Sequence, residues 1–417
     1  MIHVVDSIMG SGKTTFVTEK LHTLTHDHTR FIYVTPFLDE VTRVIKECHW
    51  ANFHQPNETE HGSKSKNLIH LIRNGHNIAT THSLFSLLNQ EACRELRQHE
   101  YILILDEVME CVSFSNSITN SDLKVLIDGG HLRKDDVTSK LSWRSDEGSH
   151  YHGKFNDVVR LCSNNKLVLH GDDIVLEQFP SEFLDVFTDV YVLTYLFEGS
   201  PMSAYLTKHG HAYEMLTLVD HELRPWADHC DESSIKSELR SLITVYEGPM
   251  NKVGTKVGKS HPLSVSWYQT QIRGRTSALP TLKGSTQNYF RKIAGTASKH
   301  NAWTTFCDYQ GKLKGERYTK GFIPFNCRAT NQYVDKRSLA YLCNVFPNPV
   351  IRQYLGGQGI GFNPDLYAIS EMVQWIWRSQ IRRRDPIHLF IPSERMRDLL
   401  CRWLECRSMP ELIKQLA

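Results

Sequence analysis

The chain has 417 residues, 40% hydrophobic and 23% charged, and 48 Lys+Arg against 46 Asp+Glu leave a net charge of +2. That length exceeds one small core and suits two domains. The near-neutral balance excludes a polycation that holds nucleic acid through its overall field, so such affinity must come from local patches. The ten Cys form no C-x-x-C pair and the 22 His are scattered, so reduced thiols and surface imidazoles are expected rather than a zinc site. No apolar run approaches the roughly 20 residues of a membrane span. A soluble cytoplasmic protein with no membrane partner is expected.

In chain order, Ile2 to Val5 read as a buried strand, and Phe16 to Leu24 as a helix with Phe16, Val17, Leu21 and Leu24 at helical spacing. Between them runs Met9-Gly10-Ser11-Gly12-Lys13-Thr14-Thr15. The glycines let backbone N–H groups turn toward an anion at a helix N-terminus, where the dipole also favours negative charge. Lys13 supplies a point charge for outer phosphates, and the Thr14 hydroxyl can ligate Mg2+. The pattern marks a nucleotide site with Met9 to Thr15 as its binding residues. Its first position, Gly in the usual G-x-x-x-x-G-K-[ST] motif, is Ser7.

Phe31 to Thr35 give a second strand broken by Pro36, and a helix follows with Val41, Val44 and Ile45 on one face. Asn52 to Lys66 read as a surface loop. The stretch "HNIATTHSLFSLL" reads as a strand up to Thr80 or Thr81, with a helix from about Ser83. Tyr101 to Leu105 are a wholly apolar strand that ends on Asp106 and Glu107. Residues 114 to 160 are polar and irregular and suggest a helical insertion. "KLVLHG" and "DVYVLTYLFEGS" are two more strands, and 215 to 238 mixes charge with Pro225 as a linker would. These boundaries suggest one domain over 1–235 and another over 236–417.

In the second half, "SLITVYEG", "PLSVSWY", "AWTTFCD", "GFIPFNCRAT", "LAYLCNVF" and "PIHLFIPS" read as strands. Helices are expected at Asn288 to Lys299, Leu366 to Arg382, and from Glu394 and Pro410. Strands alternating with helices and ending in polar clusters indicate an α/β fold with parallel sheets and a site at the carboxyl edge.

Two further motifs complete a phosphate-transfer set. Asp106 can hold Mg2+ opposite Thr14, and Glu107 can orient an attacking water as general base. On the helix through Arg382, Gln374, Arg378 and Arg382 are spaced i, i+4, i+8 along one face, where arginines can stabilise a departing phosphoryl group. Between Trp267 and Arg317 a basic stretch is interleaved with Tyr268, Tyr289 and Phe290, a pattern that fits a single-strand track with stacking platforms as well as an ordinary basic surface.

The order of these motifs resembles superfamily 2 helicases and translocases across nearly the whole chain. "SIMGSGKTT" looks like motif I, "YVTPFLDEV" like motif Ia, "IATTHSLF" like the next nucleic-acid-contacting motif and "LILDEVME" like motif II. "VLTYLFEGS" stands where motif III belongs, with Thr194-Tyr195 in place of a Ser/Thr-Ala-Thr, "CRATNQYVDKRSLAYLCN" resembles motif V and "QWIWRSQIRRR" motif VI. The variants are most similar to the viral branch, including herpesvirus-type origin-binding helicases and related bacteriophage helicases.

The resemblance implies two RecA-like domains with a nucleotide site in the cleft between them. It also implies ATP and Mg2+ as cofactors and single-stranded or forked DNA, favoured over RNA, as partner, with replication proteins as further partners. Thr35, Pro36, Thr81, His82, Thr330 and Asn331 are the corresponding nucleic-acid contacts. Lys13, Asp106, Glu107, Gln374, Arg378 and Arg382 are the catalytic set, in which Arg378 is favoured as the arginine finger. A helicase-like ATPase that regulates or assembles without unwinding is the main alternative, and a P-loop nucleoside or nucleotide kinase the next. A viral source would place the chain in the host cell cytoplasm.

Overall fold

The computed structural model describes residues 1–20, 28–59, 61–144, 151–258, 260–274, 277–326, 332–356 and 362–416. The chain forms two compact units. Met1–Val5, Thr14–Met215 and Asn348–Gly361 make the first, and Asp6–Lys13, Leu216–Pro347 and Phe362–Ala417 the second.

The first unit is built on β1 (Ile2–Asp6), β2 (Arg30–Thr35), β3 (Ile78–Thr81) and β4 (Tyr101–Asp106). Phe31–Val34 in β2 and Tyr101–Leu105 in β4 are apolar runs with no alternating polar residue, the composition of strands covered on both faces. In β4 all six residues are buried, and each large aliphatic side chain removed from water there contributes roughly 1.5–3 kcal/mol. The helix Leu38–Glu47 buries Val41 and Val44, and it opens on Asp39 and Glu40, where the dipole favours acids.

Beyond β4 the chain builds a module from β5 (Val112–Phe114), β6 (Leu132–Lys134), β7 (Leu141–Trp143), β8 (Leu167–His170) and β9 (Ile174–Gln178). β5, β9 and β8 form an antiparallel sheet, and β6 and β7 a hairpin. The helices Asn120–Asp128 and Asn156–Ser163 complete it. Leu123, Leu126, Trp143, Val158, Leu161, Leu167 and Val175 give it a core of its own. The region expected as a helical insertion is therefore an α+β module; its short strands carry too few residues each to leave a periodic trace in the sequence.

β10 (Asp189–Thr194) returns to the main sheet, where the order β1-β10-β4-β2-β3 holds within seven strands. β10, β4, β2 and β3 run parallel. The other two members are an antiparallel hairpin of β11 (Tyr213–Val219) and β12 (Glu222–Pro225). The hairpin lies in the stretch read as a linker.

The second unit holds a wholly parallel sheet of β13 (Ile243–Val245), β14 (Asn301–Thr304), β15 (Ser338–Tyr341) and β16 (Ile387–Phe390), in the order β13-β16-β15-β14. The helices Glu394–Glu405 and Met409–Leu416 close it. Three expectations are corrected here. "PLSVSWY" is no strand, because the Ser264 hydroxyl accepts the Trp267 N–H and opens the helix Val265–Arg273. "GFIPFNCRAT" forms a short turn at Thr319–Gly321 and then irregular chain, with residues 327–330 outside the described ones. The helix placed at Asn288 runs instead over Leu279–Asn288 and widens through Tyr289–Ile293, with Pro280 in the first turn where its missing N–H costs nothing.

Candidate functional site

The phosphate loop as far as Lys13 belongs to the second unit, and Thr14 and Thr15 to the first. Gly10 and Gly12 take φ of +82° and +91°, a region that strains any residue with a Cβ. The Lys13 ammonium donates to Ile8 O at 3.3 Å and to Ser7 O, so it stays against the inner side of the loop. Ser7 is buried; its hydroxyl accepts the Leu218 N–H at 2.8 Å and pairs with the Thr217 hydroxyl at 2.9 Å. The serine that replaces the usual glycine thus ties the start of the loop to β11. Ser11 Oγ is buried without a hydrogen-bond partner among the described residues. Two left-handed glycines, a lysine and an unsatisfied hydroxyl suit the phosphate oxygens of a nucleotide.

The loop is seated on an aromatic ring. A Cβ on Gly10 would lie 2.6 Å from Trp377 Cζ2, and Met9 and Trp377 line one small apolar cavity with Val373 and Ile376. Trp377 follows the helix Pro364–Ile376 and immediately precedes Arg378. The phosphate loop and the arginine segment therefore share a packing contact.

In the first unit, Asp106 ends β4 with its carboxylate buried, and the Tyr33 hydroxyl donates to its Oδ2 at 2.9 Å. Burial, and then the adjacent Glu107 charge, push Asp106 up to about 6, while the Tyr33 hydrogen bond and Arg43 act in the opposite direction. Tyr33 is pushed well above its ordinary range by burial first and then by Asp106. Glu107 takes φ +73° and still donates its N–H to Leu193 O at 2.9 Å. A left-handed glutamate costs about 1–2 kcal/mol, and its Oε2 is buried with no hydrogen-bond partner among the described residues. A carboxylate held this way can accept a proton from a bound water, and Asp106 once ionised can serve a divalent cation. Thr14, the other candidate Mg2+ ligand, lies half-buried in the first turn of the helix Lys13–Lys20, and Thr15 is exposed.

The arginine helix expected through Arg382 is shorter. It starts where the Asn363 side chain accepts the Asp365 and Leu366 N–H groups, and it ends at Ile376. Ser379 then takes an extended conformation; its hydroxyl donates to Ile376 O at 2.7 Å and accepts the Ile381 N–H at 3.4 Å, opening a 3-10 turn over Gln380–Arg383. A hydroxyl that satisfies a last-turn carbonyl offers the backbone an alternative to the next helical bond. Gln374, Arg378 and Arg382 consequently do not share one helix face. Gln374 and Arg378 are buried and Arg382 is exposed. Gln374 Nε2 donates to Ser370 Oγ at 3.1 Å. The Arg384 guanidinium lies 5.4 Å over the Trp377 ring and 3.4 Å from Glu238 Oε2.

Residues 237–404 match the YonV C-terminal Rossmann-like domain, and residues 115–176 the YonV middle domain. The SPbeta prophage-derived uncharacterized protein YonV of Bacillus subtilis (strain 168) is 37% identical over 97% of this chain and 98% of its own length. The chain belongs to the YonV family. The parallel sheet β13-β16-β15-β14 falls within the matched Rossmann-like domain, and the α+β module corresponds to the middle domain. Among solved structures, an XPD helicase is similar at a TM-score of 0.49 and 11% identity over 96% of this chain and 95% of that one. Xpd4 of S. tokodaii gives a TM-score of 0.45 and 12% identity over 96% and 93%.

In this YonV-family chain the candidate nucleic-acid residues have unlike settings. Thr35 is fully buried beside Thr81 in the β2–β3 register, and the hydroxyls of Thr35 and Thr80 have no hydrogen-bond partner among the described residues. Pro36 is half-buried and leads to the exposed Phe37 and Leu38. Thr81 caps the short helix His82–Phe85 by accepting the Leu84 N–H, and His82 is half-buried. Thr330 and Asn331 lie outside the described residues. The stacking track is corrected: Tyr268, Tyr289 and Phe290 are core residues packed with Trp303 and Tyr318. Arg273, Arg291, Lys292, Lys312, Lys314 and Arg317 stay exposed, and Arg275 is outside the described residues.

Tyr33 and Trp377 were not legible as site residues. The one signal for Tyr33 is a hydroxyl-bearing residue inside the otherwise apolar "FIYV" run, and for Trp377 its place directly before Arg378.

Proposed function

We propose that this YonV-family chain is an ATP-hydrolysing, nucleic-acid-dependent motor of the superfamily 2 helicase or translocase type, with single-stranded or forked DNA as its track. The observation that carries the reading is a pair of chemical halves: a left-handed glycine loop with Lys13 at a strand–helix junction, and a buried Asp106 followed by a strained, unsatisfied Glu107 at a strand end. The prophage origin of the Bacillus subtilis relative favours a viral setting, in DNA replication or recombination within a host cell.

Met9 to Thr15 hold the nucleotide phosphates through backbone N–H groups and the Lys13 ammonium. Thr14 and Asp106 hold Mg2+, which when bound neutralises charge on the phosphate oxygens. Glu107 takes the proton of the attacking water, with Tyr33 fixing the Asp106 carboxylate beside it. Arg378 meets the charge that develops on the transferred group, and Gln374 and Arg382 are secondary candidates.

A kinase reading needs no arginine segment behind the phosphate loop, whereas here Trp377 joins the two. The deciding experiment pairs ATP hydrolysis, with and without oligothymidylate, with displacement of a labelled strand from a forked duplex. Wild type should be stimulated by the oligonucleotide. Glu107→Gln should retain ATP binding and lose about 10²- to 10⁴-fold in turnover. Hydrolysis indifferent to DNA and RNA at low salt would refute the motor and leave the regulatory ATPase.

A further inference from the structure

A cavity of about 330 Å³ opens in the first unit. Its walls come from the turn after β3, with His82, Ser83 and Ser86, from Met109–Cys111 just beyond the acid pair, and from the middle module, with Arg160, Lys166 and Glu177. Lys166 is 7% exposed, an unusual depth for an ammonium, and it donates to Ser86 O at 2.7 Å. An ammonium carries three donors, so this backbone carbonyl engages one of them and brings no negative charge.

Arg160 stands at the exposed mouth, where it pairs with Asp157 at 3.0 Å across one helical turn, a contact worth little on a solvated surface. Burial first, then the Arg160 charge, hold Lys166 down to about 8, with Glu177 acting in the opposite sense. Two like charges that feel each other at one cavity are relieved by an anion between them. Of the acids on the walls, Glu177 is engaged by the Ser115 hydroxyl at 2.9 Å and Glu110 is at the exposed rim.

We propose that this cavity binds a phosphate group of a single nucleic-acid strand, with Lys166 and Arg160 as its cationic contacts, which makes the middle module a strand-holding element. This rests on the nucleic-acid-dependent reading above. The wall formed by Met109–Cys111 begins two residues after Glu107, so a strand held here reaches the acid pair through a short piece of backbone.

The test is the anisotropy of fluorescein-labelled oligothymidylate titrated with full-length protein over a salt series, for wild type, Arg160→Gln, Lys166→Met and the double variant. Each lost phosphate contact should weaken binding and reduce the slope of log affinity against log salt by about 0.7. Circular dichroism checks the Lys166→Met fold; Arg160 is exposed, so Arg160→Gln and Arg160→Glu carry the test if Lys166→Met fails to fold. Wild-type binding with unchanged affinity and slope in the variants overturns the proposal and leaves the motor intact. Failure of wild type to bind any oligonucleotide at low salt overturns both. Displacement of the oligonucleotide by micromolar inorganic phosphate assigns the cavity to a free anion and overturns the strand.

Discussion

Gly10→Ala tests how the phosphate loop is held. At φ +82° the new side chain costs about 1–2 kcal/mol in backbone strain. Its Cβ would also lie 2.6 Å from Trp377 Cζ2, whereas carbon atoms prefer ~3.5–4.0 Å. Trp377 is 5% exposed, with the Arg384 guanidinium over its ring and Met9 beside it, so it has little room to yield. Overpacking of that kind costs about 1–3 kcal/mol. Gly12 is the control. Its φ of +91° imposes the same backbone strain, but its nearest neighbour is His221 Cε1 at 3.6 Å, an ordinary contact.

Gly12→Ala should therefore lose about 1–2 kcal/mol, and Gly10→Ala about 1–3 kcal/mol more. The excess should vanish in a Trp377→Phe background, which lacks Cζ2. Urea unfolding followed by far-UV circular dichroism reads all of these variants. Equal losses for the two glycines, or an excess that survives Trp377→Phe, would refute the seating of the loop on Trp377.

Ser7→Gly restores the usual motif and should still destabilise by about 1–3 kcal/mol, because the buried Leu218 N–H loses its acceptor; thermal unfolding measures it. Asp106 stands at about 6 in the folded chain against an ordinary 3.8, so folding favours its protonated form. The stability from this group is present below pH 3.8 and lost as pH rises through about 6. Asp106→Asn should remove that dependence, gaining on wild type by on the order of 3 kcal/mol between pH 3.5 and 7 at about 1.4 kcal/mol per unit; urea midpoints across pH measure the gain, and parallel curves would contradict it. Tyr33→Phe removes a hydrogen bond to the ionised form, so the acid limb of ATP turnover should move to higher pH. Arg378→Ala should lower single-turnover ATP hydrolysis by ~10³-fold and the exposed Arg382→Ala by less; the reverse order would make Arg382 the finger.

The features legible in the residues alone are those that short-range chemistry controls. A strand, two glycines, Lys13 and a helix within about fifteen residues admit few conformations, so the loop was legible from "SIMGSGKTT". The apolar "YILIL" run ending in Asp106-Glu107 placed the acids at a strand end for the same reason. The helices expected near Leu366 and from Glu394 start close to those positions, capped by Asn363 and Ser393.

Two kinds of contact lie beyond the sequence pattern: local side-chain bonds that compete with periodicity, and packing against partners distant in the chain. Ser264 and Ser379 each form competing local bonds that one-dimensional periodicity does not weigh, which turned an expected strand into a helix and broke the arginine helix before Arg378. The aromatics between Trp267 and Arg317 looked like a binding track because sequence spacing does not distinguish a ring facing solvent from one facing the core; the long-range packing with Trp303 buries them. Ser7 is explained by Leu218, Asp106 by Tyr33 and Gly10 by Trp377. Each pair is separated by far more chain than any local pattern spans, and its contact exists only once the sheets have assembled.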